Sequence, residues 1–309
     1  MLRHHTQYVV LNLEELMKKL FGFVFFGTIV LSCNNSAKKF ETQEGLNSRN
    51  KVDEVVIVLD SAITKFDNVL RIDHSRLAEG EEVYTPPSIV TIFSNPKVNS
   101  SLLKINQLVG IDLPYKVLCY SEPDLVNASI AYTSSDFIRR RHGLTDLDLI
   151  SFSKDMDSVV NSFPEGILSS TDLKAVSKNF GLIVKKSDFD FVTTIDHLKK
   201  SIQEQGDTKI FGEIDFKKEG SLYGVAIDPT TLILFGAPAP GGKAMNKTPK
   251  IGLDAFCQKL LIFEKEHEVF VAYNDIIDFS DLYYQKWTIP QRVVNYRLNS
   301  VYENAITEK

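Results

Sequence analysis

The chain has 309 residues, 43% of them hydrophobic, with 35 basic against 40 acidic side chains and a formal net charge of −5. That hydrophobic share excludes disorder throughout, and a slight acidic excess spread along the chain excludes a strongly basic nucleic-acid binder. The length predicts about two domains, each able to bury a core. Three cysteines, Cys33, Cys119 and Cys257, are too few and too scattered for a disulfide framework or a zinc knuckle.

Residues 1–33 carry an address. Leu20 to Leu31 (LFGFVFFGTIVL) is an apolar run of 12 residues after Lys18-Lys19 and before Ser32-Cys33. A membrane-spanning helix needs about 20 apolar residues, so the shape is that of a signal peptide. Val30-Leu31-Ser32-Cys33 resembles a bacterial lipobox, which implies diacylation of Cys33; an ordinary signal with an incidental cysteine is the alternative. Met17-Lys18-Lys19 is a conventional signal start, so translation is expected to begin at Met17, and His4-His5 has no third ligand near it to make a metal site. Residues 34–50 are polar and predict a flexible tether.

Beyond the tether the sequence repeats itself. Phe93-Ser94-Asn95-Pro96 aligns with Phe235-Gly236-Ala237-Pro238 at an offset of 142 residues, which also superposes Ile72-Asp73 on Ile214-Asp215 and Ile111-Asp112 on Leu253-Asp254. After a one-residue slip Ala131-Tyr132 meets Ala272-Tyr273, and Asp136-Phe137 returns to register with Asp278-Phe279. Two repeat domains, 51–160 and 180–309, are therefore expected around a linker at 161–179.

In chain order, the first repeat opens with a helix marked by Val52, Val55, Val56, Leu59 and Ile63. Strands follow at Asn68 to Asp73, Ile89 to Phe93, Lys116 to Tyr120 and Asn127 to Tyr132, with a Pro- and Gly-marked loop and a helical turn in the middle. The second repeat begins with a strand at Gly181 to Lys185 that the first repeat lacks, then a helix through Val192, Ile195, Leu198 and Ile202. Its further strands are Lys209 to Phe216, Thr231 to Phe235, Gln258 to Phe263 and Val269 to Tyr273, the last two joined by the charged hairpin Glu264 to Glu268. Thr288 as N-cap and Pro290 in the first turn start a closing helix. The unit is α+β, β-α-β(4)-α, a two-layer sheet and helix sandwich. An open sheet face must be covered, and pairing of the repeats as a pseudo-dimer covers it.

Ile92-Phe93-Ser94-Asn95-Pro96, Asp112-Leu113-Pro114-Tyr115-Lys116, Ala131-Tyr132 and Arg141-His142-Gly143-Leu144 together resemble the domain of unknown function 302 family. The second repeat keeps Phe235-Gly236 and Pro238 but has Ala237 for the asparagine and Ala255-Phe256 for the leucine-proline. The resemblance implies a TATA-binding-protein-like fold, usually dimeric, and no established activity; fold analogy alone does not imply DNA binding.

No Walker loop, GxSxG, HExxH or CxxC is present, so no cofactor or metal is expected and a binding protein is favoured over an enzyme. Gly236 to Lys243 is expected to be a mobile loop rather than a phosphate cradle, since two prolines remove amide donors. Asp112 and Asp254 either cap local turns or present a carboxylate at the mouth of a pocket between the repeats, with Asn95 and Lys116 as neighbours. His142 behind Arg139-Arg140-Arg141 is expected on a solvated helix surface, Cys119 and Cys257 in strands as small buried groups, and Tyr132 and Tyr273 as matched strand-end residues that pack or touch ligand. The expected function is a lipid-anchored envelope protein binding a small apolar or amphipathic ligand, with no nucleic-acid partner. A protein-interaction or assembly module of the envelope, and a hydrolase or redox enzyme without a readable motif, are the alternatives.

Overall fold

The computed structural model describes residues 42–123 and 125–308. Met17, Cys33 and residues 34–41 of the expected tether lie outside the described residues.

Helix α1 (Gln43–Ala62) starts inside the stretch expected to be tether, because Thr42 caps it by accepting from the Gly45 amide at 3.1 Å and Ser48 is buried, donating to the Leu125 carbonyl at 2.7 Å. Its Val52, Val56 and Leu59, spaced one turn apart, supply the buried stripe. Strand β1 (Asp67–Asp73) runs into α2 (His74–Glu79), with Asp73 as N-cap. There follow β2 (Ser88–Ser94), α3 (Pro96–Ile105), a 3-10 turn (Gln107–Ile111), β3 (Tyr115–Tyr120), β4 (Ser129–Tyr132), α4 (Ser135–His142) and α5 (Ile150–Val160).

The second repeat runs β5 (Leu182–Lys186), α6 (Phe191–Gln203), β6 (Lys209–Asp215), α7 (Phe216–Leu222), β7 (Thr230–Gly236) and α8 (Pro238–Met245). A 3-10 turn (Pro249–Leu253), β8 (Gln258–Lys265), β9 (Glu268–Asn274), α9 (Ile276–Tyr284) and α10 (Ile289–Ile306) complete it. The sheets are antiparallel, ordered β1-β2-β3-β4 and β5-β9-β8-β7-β6, so the extra strand of the second repeat lies at an edge.

The duplication extends to irregularities. Both outer pairs shift register at the same place, between Asn68 and Leu70 and between Ile210 and Gly212. Asp73 and Asp215 both cap the helix that follows, each accepting an amide three residues on at 2.9 Å.

Strand alternation sorts each sheet into two faces. Phe93 and Tyr115 stack on each other, and Tyr115 meets Phe152 of α5, while Ile233, Phe235, Leu260 and Ile262 form a core with α6 and α10. The opposite faces, among them Ile92, Leu118, Leu232, Leu234 and Leu261, belong to one continuous core shared by both repeats. Contacts across it are reciprocal: α2 packs on α8 and α3 on α7, and each 3-10 turn packs on the central strands of the other repeat. Gln107 donates to Thr230 Oγ1 at 2.9 Å and to the Glu264 carbonyl at 3.1 Å.

One expectation fails here. The Gly236 to Lys243 segment is largely helix α8, begun by Pro238 in the first turn, where its missing N–H costs nothing. Its glycines permit close approach: a β-carbon on Gly242 would lie 2.5 Å from Ala78 Cβ in α2.

Candidate functional site

The face of β3 turned toward the second repeat carries Lys116, and β8 carries Lys259 in the same register, opposite Ile92 and Leu234 respectively. Both lysines are buried. Burial of a charge demands partners, and the two repeats supply them to each other.

Asp112 closes the first 3-10 turn through its backbone, donating to the Val109 carbonyl, while its side chain points into the interface. There it accepts from Arg141 Nη1 at 2.9 and 2.8 Å and from His142 Nε2 at 2.7 Å, with Lys116 Nζ at 3.6 Å. Burial alone would raise its pKa, but Arg141, Lys116 and His142 hold the carboxyl well below the usual range. Asp254 accepts from Lys116 Nζ at 2.6 Å and from the Tyr283 hydroxyl, with Lys259 Nζ at 3.7 Å. Despite burial its pKa is lowered by Lys116 and Lys259. Lys116 stays charged between the two carboxylates, whereas burial and repulsion from Lys116 push Lys259 down to about 7. Burial also lowers His142 against the pull of Asp112, so the neutral ring donates through Nε2 and leaves buried Nδ1 without a partner.

Arg141 is the clasp. Its Nε donates to the Phe180 carbonyl at 2.8 Å, and its Nη2 reaches Asn274 Oδ1 at 2.7 Å and the Gly181 carbonyl at 3.3 Å. The guanidinium lies 4.9 Å from the centroid of the Phe279 ring and 5.5 Å from that of Phe137. Asn274 passes the connection on by donating to the Asp254 carbonyl at 2.9 Å. The solvated-surface expectation is thereby corrected: Arg141 is 0% and His142 3% exposed, because helix α4 turns these two inward. Only Arg139 and Arg140 remain toward solvent, both paired with Asp136. The turn-cap reading of the Asp112 and Asp254 side chains is corrected likewise, since their partners are side chains brought from other elements.

A cavity of about 190 Å³ abuts this network, lined by Tyr132, Thr133, Ser134, Phe137, Asp254, Tyr283 and the linker residues Ser169, Ser170, Thr171 and Leu173. Lys250 touches the same linker, donating to Ser169 Oγ at 2.9 Å and to the Ser170 carbonyl at 2.8 Å, and burial pushes its pKa down to about 8. A larger groove of about 370 Å³ opens elsewhere between the repeats, where Leu103 and Leu108 face Val184, Ile227, Phe263 and Phe270.

Of the residues singled out in the sequence, Asp112, Lys116 and Asp254 converge on the network, and Tyr132 is among the residues lining its cavity. Asn95 does not: it donates to Asp155 at 2.8 Å beside the Tyr115 hydroxyl, on the helix-covered face. Tyr273 does not either, donating to Asn299 at 2.6 Å and packing on Tyr302. Cys119 lies in β3, while Cys257 directly precedes β8; both are buried free thiols, pushed by burial to about 12 and about 11. Sequence reasoning missed Lys259, Asn274 and Tyr283; the signal available was the offset of 142, which sets Tyr283 on Arg141. Among the described residues no cluster of His, Cys, Asp and Glu is arranged to hold a metal ion, and no helix is long and apolar enough to cross a membrane.

Fold and interface thus define a tandem α+β protein whose two units share one core. The model of the family described as "Domain of unknown function DUF302" matches residues 45–163 and 183–291. The chain belongs to the DUF302 family, in two copies. A crystal structure of an uncharacterized conserved DUF302 protein from Bacillus stearothermophilus is 11% identical, with a TM-score of 0.34 over 41% of this chain and 98% of that one. No curated protein matches the chain.

Proposed function

We propose that the protein is a non-enzymatic binding protein of the cell envelope, anchored by lipid at Cys33, that takes a small amphipathic molecule into the groove between its repeats. The observation that carries this is the construction of the groove. Its volume of about 370 Å³ falls in the range of small-molecule sites, and its apolar walls come from both repeats, so it exists only in the paired arrangement. Lys104 and Lys265 stand at the groove without ion-pair partners among the described residues, which suits an acyl chain ending in a carboxylate.

Titration of the full chain with a dansylated fatty acid tests the reading. Saturable binding is expected, weakened about tenfold by Ile105→Glu, a change at the half-exposed end of α3 that puts a negative charge beside the tail. Failure of the wild-type chain to saturate overturns it. The anchor has its own test: metabolic labelling with palmitate is expected in the wild type and lost in Cys33→Ser.

One observation favours a second reading, docking of an envelope protein. Trp287, Ile289, Val293 and Tyr296 are 46 to 75% exposed, and the last three follow helical spacing along α10. A photo-crosslinker at 296 that captures the same envelope protein reproducibly, and loses it in Ile289→Glu, would support it.

A further inference from the structure

The internal duplication maps the surroundings of Arg141 onto the 190 Å³ cavity. At the offset of 142, Asp112 corresponds to Asp254, Phe137 to Phe279 and Arg141 to Tyr283. Thr133 corresponds to Asn274, because each follows the register-matched tyrosine at the end of its strand, Tyr132 opposite Val117 and Tyr273 opposite Leu260. In the first position the guanidinium of Arg141 is held by the Asp112 carboxylate, Asn274 Oδ1 and two backbone carbonyls, over the ring of Phe279. In the second position the corresponding holders, Asp254, Thr133 and Phe137, are all present and all line the cavity. Among the described residues no guanidinium occupies this position, since Tyr283 stops at Asp254 and has no fork to extend beyond it, and Lys250, with Nζ 5.2 Å from the centroid of the Tyr283 ring, bonds to Ser169 and Ser170 of the linker instead.

A second, independent observation marks the same spot. Thr133 is 2% exposed, lines the cavity, and its Oγ1 has no hydrogen-bond partner. Buried hydroxyls are rarely left so, and its counterpart Asn274 is bonded at both ends, its oxygen to Arg141 and its nitrogen to the Asp254 carbonyl. The linker supplies the remaining wall. Leu168 bridges to Ile130 at the edge of β4, and the Ser169 amide donates to the Ile130 carbonyl at 2.7 Å, so Ser169 to Thr171 take the place that Phe180 and Gly181 have beside Arg141.

We propose that this cavity is a binding site for a small guanidinium-bearing molecule, which completes in the second repeat the arrangement Arg141 completes in the first. The planar group donates to Thr133 Oγ1 and to the free lone pairs of the Asp254 carboxylate, and stacks on Phe137 as Arg141 stacks on Phe279. The added charge has an outlet. Two lysines lowered by burial face the added charge and can release a proton in response: Lys259, beside Asp254, Asp112 and Lys116 and held at about 7, and Lys250, on Ser169 and Ser170 and held at about 8. The site is separate from the acyl groove and does not depend on it.

Isothermal titration of the full chain with methylguanidine and agmatine tests the proposal, with N-methylurea as the neutral isostere. The guanidinium compounds are expected to bind and the urea to bind at least about tenfold more weakly. Thr133→Val, nearly isosteric, is expected to weaken binding about tenfold by removing one acceptor. Tyr283→Arg lets the chain fill the cavity with its own guanidinium, and binding is expected to disappear while circular dichroism stays that of the wild type. No heat with either compound up to about 10 mM, equal binding of the urea, or unchanged binding in Thr133→Val overturns the proposal. Binding of the dansylated fatty acid is expected to be untouched by Thr133→Val, which separates this site from the groove.

Discussion

Replacing Arg141 by leucine removes the one residue that ties α4, the first 3-10 turn, the start of β5 and the end of β9 together. The guanidinium makes two charge-assisted bonds to Asp112 and three more to Asn274 Oδ1 and the carbonyls of Phe180 and Gly181. Breaking a buried ion pair from one side costs about 3–5 kcal/mol, because the remaining charge stays desolvated. His142 still donates to Asp112, and Lys116 stands 3.6 Å away. The lower end, about 3 kcal/mol, is therefore expected. That is a large part of the roughly 5–15 kcal/mol holding a typical domain folded. Urea denaturation followed by circular dichroism reads it as a midpoint lowered by about 1 M or more. Arg141→Lys keeps the charge but loses the fork, and should cost about half as much. Adding Asp112→Leu to Arg141→Leu removes the stranded carboxylate and should recover part of the loss. A loss below about 1 kcal/mol for Arg141→Leu, or a double variant worse than the sum of its singles, would refute the view that these charges are held as a mutually compensating set.

The paired lysines should behave oppositely: Lys116→Met takes from Asp254 its nearest cation and is expected to cost about 3 kcal/mol, whereas Lys259→Met removes a lysine whose burial disfavours its charge and should be neutral or stabilising at pH 7 by thermal melting. His74 buries an unpartnered Nε2, and burial lowers its pKa to about 4; below pH 6.5 the unfolded chain takes up a proton that the folded chain refuses, so stability falls on acidification, by about 2 kcal/mol at pH 5. His142, lowered in the same direction, adds to this slope, and His74→Leu should flatten it in urea melts between pH 7 and pH 5. Gly242→Ala drives a methyl to 2.5 Å from Ala78 Cβ and 2.7 Å from Thr85 Oγ1 and is expected to cost about 2 kcal/mol, while Gly166→Ala, which meets nothing within 4 Å, should change stability by less than about 0.5 kcal/mol.

Strands and long helices were legible because their cues are local. The alternation in Thr231 to Phe235 and the turn-spaced Val52, Val56 and Leu59 state their geometry within a few residues. Helix α8 was not legible, since Pro238-Ala239-Pro240-Gly241-Gly242 has poor intrinsic propensity and is helical because its glycines let it seat against α2, with Gly242 meeting Ala78 from 164 positions earlier in the chain. The short helices α2 and α7 were hidden at the ends of strands, although Asp73 and Asp215 are ordinary N-caps. Asp112 and Asp254 stood out as polar residues at repeated positions, with Lys116 expected as a neighbour, and the structure does gather the three. Arg141 was misjudged for a physical reason: three consecutive arginines suggest solvent, and nothing local says that the third faces a carboxylate 29 positions back and an asparagine 133 positions ahead. Tyr273 shares the repeat pattern with Tyr132, and Asn95 belongs to the turn that marks the repeat, but both fall on the helix-covered faces, which the spacing alone does not separate from the interface.

When two identical subunits meet about an axis, every substitution is made twice, and neither side of the contact changes without the other. A single polypeptide carrying both halves escapes that obligation. With arginine at 141 and tyrosine at 283, this chain has spent the freedom unequally: one corner of the seam is locked by its own side chain, and the matching corner is left hollow. Carrying both halves in one chain thus permits two places with different contents, a specialisation that a pair of separate, identical chains could not hold.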